Sequence, residues 1–354
     1  MDLSNPYFSK QLLTYIGNKR SLLPFLAEGF DFCKQRIGRP FKSFDGFAGS
    51  GAVSRLLKFY SSSLVVNDLE GYAQTINSCY LANELPDDFH KKSEHLNQQW
   101  KTFSSSGFVA KNYAPMNDQS IQPGERTFYT TRNAQFIDAV RTEIESWSDR
   151  QFYLAPLLVE ASIHCNTSGV FKGFHKKNGI GHFGGKGENA LKRILGDIQI
   201  HTPHLSPWDC DVHISKKNVL DITDSFDVVY YDPPYNQHPY GSNYFMLNFI
   251  NEYRSDFEIQ NGKSGIAKDW NRSDFNTRAA EEAMERLIAG TKASFILISY
   301  NNEGIIPIER FRAILEKRGK VALLEKEYQT FRGSRNLSGR TNKVVELLWI
   351  LEVS

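Results

Sequence analysis

Two kinds of apolar patterning alternate along this chain. In the first, a short apolar run stops at a glycine or an acid and is followed by residues with helical spacing. Phe41-Lys42-Ser43-Phe44-Asp45 is such a run, of strand length, and Ala52 to Lys58 behind it has a helical pattern. Ser63 to Asn67 is another, ending on Asp68, with a helical stretch from Leu69 to Leu81 after it. Ahead of both, the polar segment Thr14 to Lys19 feeds a helix start in which Ser21 can cap and Pro24 occupies the first turn. Strand, helix, strand, helix in this order is how a parallel sheet begins, so the fold class is α/β.

The second kind fills the middle of the chain. From about Pro86 to Pro207, helix-like stretches (His90 to Phe103, Asn133 to Trp147, Phe152 to His164) alternate with polar loops and no strand pattern continues. This predicts an inserted, mainly helical region at 86–210, between the two parts of one sheet domain at 1–85 and 211–354. The sheet pattern returns at Asp211 to Ile214 and at Phe226 to Tyr231, a β-branched and aromatic run suited to a strand buried on both faces. A helix (Arg278 to Ala289) and a strand (Ala293 to Ser299) follow. Val321 to Phe331 and Lys343 to Val353 then read as an antiparallel hairpin joined by a basic, glycine-containing turn.

With 354 residues, 40% of them hydrophobic and 23% charged, the chain can bury a sizeable core and is not a disordered polymer. Lys plus Arg number 42 against 40 for Asp plus Glu, so any grip on a polyanion must be local. Cys33, Cys79, Cys165 and Cys210 form no CxxC pair, which points to four reduced thiols rather than a zinc ribbon or a disulfide framework. His164-Cys165 with His175 and His182 has no metal-ligand spacing, and no metal is expected. The first residues carry no basic-then-apolar leader, and no uncharged apolar run approaches the roughly 18 residues of a membrane helix. The chain therefore reads as soluble and cytoplasmic, without a membrane partner.

Four stations carry candidate chemistry. Gly46-Phe47-Ala48-Gly49-Ser50-Gly51 sits between strand and helix, where missing side chains let a ligand approach the backbone. A dinucleotide fingerprint starting at Gly49 would find Ser54 in its third glycine position, and no Walker lysine is present, so a less anionic cofactor fits better. Asp68, closing the second strand, is placed to accept hydrogen bonds from ribose hydroxyls or to cap the following helix. In Asp232-Pro233-Pro234-Tyr235 two prolines fix φ twice and aim the Pro233 carbonyl. With the Asp232 carboxylate it can accept both hydrogens of a primary amino group, while the Tyr235 ring offers a stacking face. Lys172 to Arg193, with Lys172, Lys176, Lys177 and Lys186, and the tail turn with Arg332, Arg335 and Arg340, are phosphate-tracking segments or else solvated loops.

Together these residues resemble an alpha-group DNA adenine-N6 methyltransferase of the Dam type. Tyr15-Ile16-Gly17-Asn18-Lys19 resembles the family's N-terminal cofactor motif, within which Tyr15, Asn18 and Lys19 are the candidate contacts. Phe44-Asp45-Gly46-Phe47-Ala48-Gly49-Ser50-Gly51 resembles its S-adenosylmethionine loop, and Asp68 its ribose-binding acid. Asp221-Ile222 stands where the family has Asp-Phe against the cofactor's adenine, the Ile being a departure. Asp232 to Tyr235 is the family's catalytic DPPY, and the continuation from Asn236 to Tyr244 is similar to FokI-type members. The resemblance implies a class I methyltransferase fold: a Rossmann-like, mostly parallel seven-stranded sheet with its last strand antiparallel, and a target recognition region inserted at 86–210. It also implies S-adenosylmethionine as cofactor and double-stranded DNA as partner, in a prokaryotic or phage setting with a possible cognate restriction endonuclease. An adenine swung out of the duplex would meet Asp232 and the Pro233 carbonyl, with Tyr235 stacked on it. Alternatives at this stage are the same chemistry on RNA or on cytosine N4, and a catalytically silent nucleic-acid-binding module.

Overall fold

The computed structural model describes residues 2–99, 103, 107–188, 190–235, 237, 239–254, 256–329 and 343–354. Arg332, Arg335 and Arg340 of the tail turn, and Asn236 and His238 after the DPPY run, lie outside the described residues.

The first part of the chain runs through α1 (Pro6–Ser9), α2 (Leu23–Ile37), β1 (Phe41–Asp45), α3 (Ala52–Tyr60), β2 (Ser61–Asn67) and α4 (Gly71–Tyr80). Ser21 does not cap α2. It lies inside a single 3-10 turn, Arg20–Leu22, which leads into the helix, while Pro24 does sit in the first helical turn. The middle holds α5 (Phe89–Gln99), α6 (Phe108–Tyr113), α7 (Thr131–Ile144) and α8 (Gln151–Ile163), a two-residue hairpin of β3 (Lys176–Lys177) and β4 (Ile180–Gly181), and α9 (Leu191–Leu195). The last part comprises β5 (Asp211–Ser215), β6 (Ser225–Tyr231), α10 (Tyr240–Asn243), α11 (Phe245–Glu252), α12 (Ala280–Gly290), β7 (Lys292–Asn301), α13 (Ile308–Glu316), β8 (Gly319–Gln329) and β9 (Lys343–Val353).

Seven strands form one sheet in the order β5-β2-β1-β6-β7-β9-β8. The pairs from β5 to β7 are parallel, whereas β9 runs antiparallel to both β7 and β8. This is the mostly parallel, seven-stranded α/β sheet with an antiparallel last strand expected from the sequence. Successive connections turn away from each other at β1 and β6, which opens a crevice at the carboxyl ends of those two strands. Both leading stations of the sequence, the glycine corner after Asp45 and the DPPY run after Tyr231, leave the sheet there.

Burial on both faces explains the unbroken apolar runs. Val228 and Tyr230 of β6 join one core with Phe30, Leu56 and Leu64. Val229 and Tyr231 face the opposite core with Met284, Leu287 and Phe311. A third core ties the middle region to the sheet domain rather than standing apart. In it, Phe136 and Val140 of α7 and Tyr153 and Leu157 of α8 pack with Tyr72 and Ile76 of α4 and with Phe245 and Phe249 of α11.

Candidate active site

The glycine corner is built from backbone. Gly46 N donates to Tyr230 O (3.0 Å), Ala48 N to Asn67 O (3.0 Å), and Gly49 N to Asp68 Oδ2 (2.7 Å). Gly49 and Gly51 have φ of 51° and 76°, and a Cβ at Gly49 would lie 2.9 Å from the Tyr15 ring, so side chains are excluded on both counts. Asp68 is not the cap of α4, whose N-cap is Glu70; its Oδ1 accepts from Glu70 N (2.9 Å) in a tight turn before the helix. Ser54, found where a dinucleotide loop would have glycine, donates to Asp45 Oδ2 (2.6 Å). Asp45 Oδ1 is buried with no hydrogen-bond partner among the described residues, and burial pushes this carboxyl up to about 7.

The N-terminal loop closes over the corner. Tyr15 stacks on Tyr244 (4.6 Å between centroids), Ile16 N donates to Tyr244 Oη (2.7 Å), and Tyr240 Oη donates to Ile16 O (3.0 Å). This aims Lys19 away from the glycine corner and at the DPPY run. Lys19 Nζ lies 3.0 Å from Asp232 Oδ1 and 3.1 Å from Glu346 Oε1 on β9. Lys19 is 3% exposed and Glu346 wholly buried, while Asp232, at 18%, is the member open to the cavity. Burial raises the Asp232 pKa to about 6, opposed by Lys19 and reinforced by Glu346. Burial works against the Lys19 charge, but the two carboxylates override it and hold its pKa well above the ordinary value. The Tyr235 carbonyl accepts from Ile305 N (3.0 Å), and its ring lies 5.4 Å from Lys19 Nζ.

One open cavity joins the two stations. Tyr15, Asn18, Lys19, Asp45, Gly46, Phe47, Ala48, Gly49, Ser50, Asp68, Asp232 and Pro234 all line it. Gly51, Pro233 and Tyr235 are not among its lining residues, and neither are Asp221 and Ile222. The last pair is displaced because the chain makes a 3-10 turn at Val219–Asp221, fixed by Leu220 N donating to Asn218 Oδ1 (3.1 Å). The turn sends Asp221 to the surface and puts Asn218 and Val219 on the cavity instead.

Other lining residues escaped the sequence reading. Glu70 accepts from Asn248 Nδ2 (2.5 Å) and Asn271 Nδ2 (3.1 Å), which ties the 270–276 segment over the cavity and places Arg272, Ser273 and Phe275 on its wall. No motif or periodicity marks that segment.

Residues 15–314 match the family model of the D12 class N6 adenine-specific DNA methyltransferase. A type II methyltransferase, M.NlaIII of Neisseria lactamica, is 30% identical over 87% of this chain and 90% of its own. M.CviAII of Paramecium bursaria Chlorella virus 1 is 28% identical over 96% and 98%. M.FokI of Planomicrobium okeanokoites is 25% identical over 87% of this chain, which spans about half (47%) of that longer protein. The chain belongs to the D12 class of N6 adenine-specific DNA methyltransferases. Its reaction is site-specific methylation of adenine in DNA, and the alternatives of cytosine N4, RNA and a silent binding module fall away as the primary reading.

The basic stretch of the middle region is held as a ledge by hydrogen bonds at both of its ends. Asn166 is buried and donates to Thr127 O (2.9 Å) and His182 O (3.2 Å) while accepting from Gly184 N (3.0 Å). Arg193 donates to the carbonyls of Ile163, Cys165 and Thr167. Tethered at both ends, the stretch exposes Lys172, Lys177 and Lys186 and holds Lys176 half-exposed over the Phe174 ring (4.6 Å). All four cysteines are free thiols, and among the described residues no helix is long and apolar enough to cross a membrane.

Proposed function

We propose that this chain is an alpha-group member that seats S-adenosylmethionine on the Gly46–Gly51 corner and methylates an adenine swung out of duplex DNA onto Asp232. The observation that carries this reading is the single cavity holding the backbone cradle at one end and the Asp232 carboxylate at the other. The order of cofactor corner, long insertion and DPPY run supports the alpha group.

The residues present fit that cofactor. A Cβ at Gly46, Gly49 or Gly51 would collide with the Tyr231, Tyr15 or Asn77 side chain, so the corner keeps bare backbone beside the cavity, and Asp45 Oδ1 is a buried acceptor without a partner among the described residues. Asp45, Asp68, Glu70 and Asp232 line the cavity together with Lys19, Lys217 and Arg272, so carboxylate acceptors for hydroxyl and amino groups lie along its wall. Asp68 retains lone pairs for ribose hydroxyls beyond the two backbone bonds it accepts. When bound, the cofactor supplies an electrophilic methyl group on sulfur.

This chain's own residues orient the nucleophile. Ionised Asp232 and the Pro233 carbonyl accept the two hydrogens of the adenine amino group, which favours rehybridisation of a nitrogen whose lone pair is otherwise delocalised into the ring; the lone pair takes the methyl group as its bond to sulfur breaks, and the nitrogen then loses a proton. Tyr235 offers its face to the base, with its backbone pinned by Ile305. Alignment and fixed dipoles supply the catalysis, without a covalent enzyme intermediate. Residues 86–210 act as the target recognition region, and the ledge with Lys172, Lys176, Lys177 and Lys186 follows the phosphates of double-stranded DNA. A cytoplasmic setting and a cognate restriction endonuclease cutting the same site complete this reading; three similar proteins bear the name type II methyltransferase.

The test is a labelled-methyl transfer assay on duplex DNA and on RNA, followed by digestion to nucleosides. N6-methyladenine from duplex DNA is the expected product. N4-methylcytosine, or preferential labelling of RNA, would overturn the reading.

A further inference from the structure

Asp232 is held from a side that the DPPY run does not explain. Its partner Lys19 is shared with Glu346, which lies on the one antiparallel strand of the sheet, wholly buried. Beyond the Lys19 ion pair, neither Glu346 oxygen has a hydrogen bond among the described residues. A buried carboxylate placed against a single ammonium is destabilising without that ammonium, so Glu346 pulls on Lys19 strongly. Two anions thus compete for one cation, and the contacts of 3.0 and 3.1 Å show an even division. Were Glu346 neutral, the ammonium would belong to Asp232 alone and would occupy the acceptor that an incoming amino group needs.

We infer that Glu346 is a positioning residue for methyl transfer: by drawing Lys19 partly off Asp232, it leaves that carboxylate free to accept from the adenine amino group. The inference rests on the reading of Asp232 given above. Glu346 does not line the cavity and acts through Lys19 and through its own charge beside Asp232.

The groups facing Asp232 are Lys19 and Glu346, the phenols of Tyr230, Tyr235, Tyr240 and Tyr328, and Asp45. The phenols stay neutral through the acid range, so carboxylates govern the acid side of activity. Asp232 must be ionised, so activity falls as pH drops through about 6. Removing the like charge of Glu346 lowers that midpoint. Asp45 is not paired with Glu346, so its contribution stays in place.

Glu346→Gln keeps the shape and removes the charge. Single-turnover methylation of duplex DNA at saturating cofactor should slow about tenfold, with cofactor Kd within about twofold of wild type. The acid limb of kcat/KM against pH should move to lower pH. Glu346→Asp keeps the charge and should leave the limb at its wild-type position; this variant carries the test if the Gln variant does not fold, and a displaced limb in it would overturn the inference. In Glu346→Gln, a wild-type rate and limb, or a slower rate with the limb unmoved, overturns the inference. Asp232→Asn assayed beside it keeps the two readings apart: its activity would overturn the role of Asp232 as well, whereas its silence leaves that role standing whatever Glu346→Gln does.

Discussion

The two ends of the cavity are made in different ways. The end proposed for the cofactor centres on one continuous stretch, Asp45 to Ser54, joined by Asp68, with the N-terminal loop and the 270–276 segment closing over it. The methyl-accepting end gathers Lys19, Asp232 and Glu346 from a loop near the N-terminus, the end of β6 and the middle of β9. A backbone cradle tolerates change in the residues around it, because its geometry is set by φ and by strand ends. A cluster of buried charges does not, since each charge is tolerable only while its partners stand. The difference predicts separable defects: changes at one end should alter cofactor affinity, and changes at the other the transfer step.

The largest effect is expected at the charge cluster. Asp232→Ala should reduce methyl transfer by roughly a hundredfold or more while leaving cofactor affinity near wild type. Retention of more than about a tenth of the activity would break the comparison, because the acceptor role would then belong elsewhere. An intermediate effect is expected at the cradle. Asp68→Ala should weaken cofactor binding by roughly 1 to 3 kcal/mol in calorimetry, since a carboxylate that also pins Gly49 N and Glu70 N is lost. Unchanged affinity would reduce Asp68 to a local tie between the corner and α4.

The smallest effect sharpens the contrast between the cavity and the basic ledge. Neutralising Lys176, Lys177 and Lys186 together should weaken binding to all DNA sequences and flatten the dependence of log K on log salt by roughly 0.9 per lost phosphate contact. The methylated motif should not change, because phosphate contacts carry no base information. A relaxed motif would make one of these lysines a reader of base edges. Unaltered affinity and salt slope would move the grip to another face of the middle region.

How much of this was legible in the sequence follows the same division. The glycine corner and the DPPY run were readable because their chemistry sits in consecutive residues at strand ends. The β6 run from Phe226 to Tyr231 was readable because a strand buried on both faces must be apolar throughout. That Asp221-Ile222 lies off the cavity lining is not legible in the sequence, because a one-turn 3-10 segment decides which of four neighbours turns inward, and Asn218 settles that turn with a local hydrogen bond. Glu346 was invisible for a different reason. In Lys343 to Val353 an acid amid apolar residues, Glu346 like Glu352, has the look of an outward-facing position, and only the arrival of Lys19 from the far end of the chain makes the burial of Glu346 tolerable. The 270–276 segment was missed because its contact with the cavity depends on Glu70, some two hundred residues earlier. The apolar spacing of the middle helices does not tell what they pack against, and α7 and α8 spend their apolar faces on α4 and α11.

The separation of the two ends is tested most directly by rapid-quench single-turnover methylation of duplex DNA with Asp68→Ala and Asp232→Ala, each at cofactor concentrations well above its own measured Kd. Asp68→Ala should then methylate at close to the wild-type rate, and Asp232→Ala should remain inactive at any cofactor concentration. A slow Asp68→Ala enzyme at saturation, or an Asp232→Ala enzyme rescued by added cofactor, would contradict the division of labour between the cradle and the charge cluster.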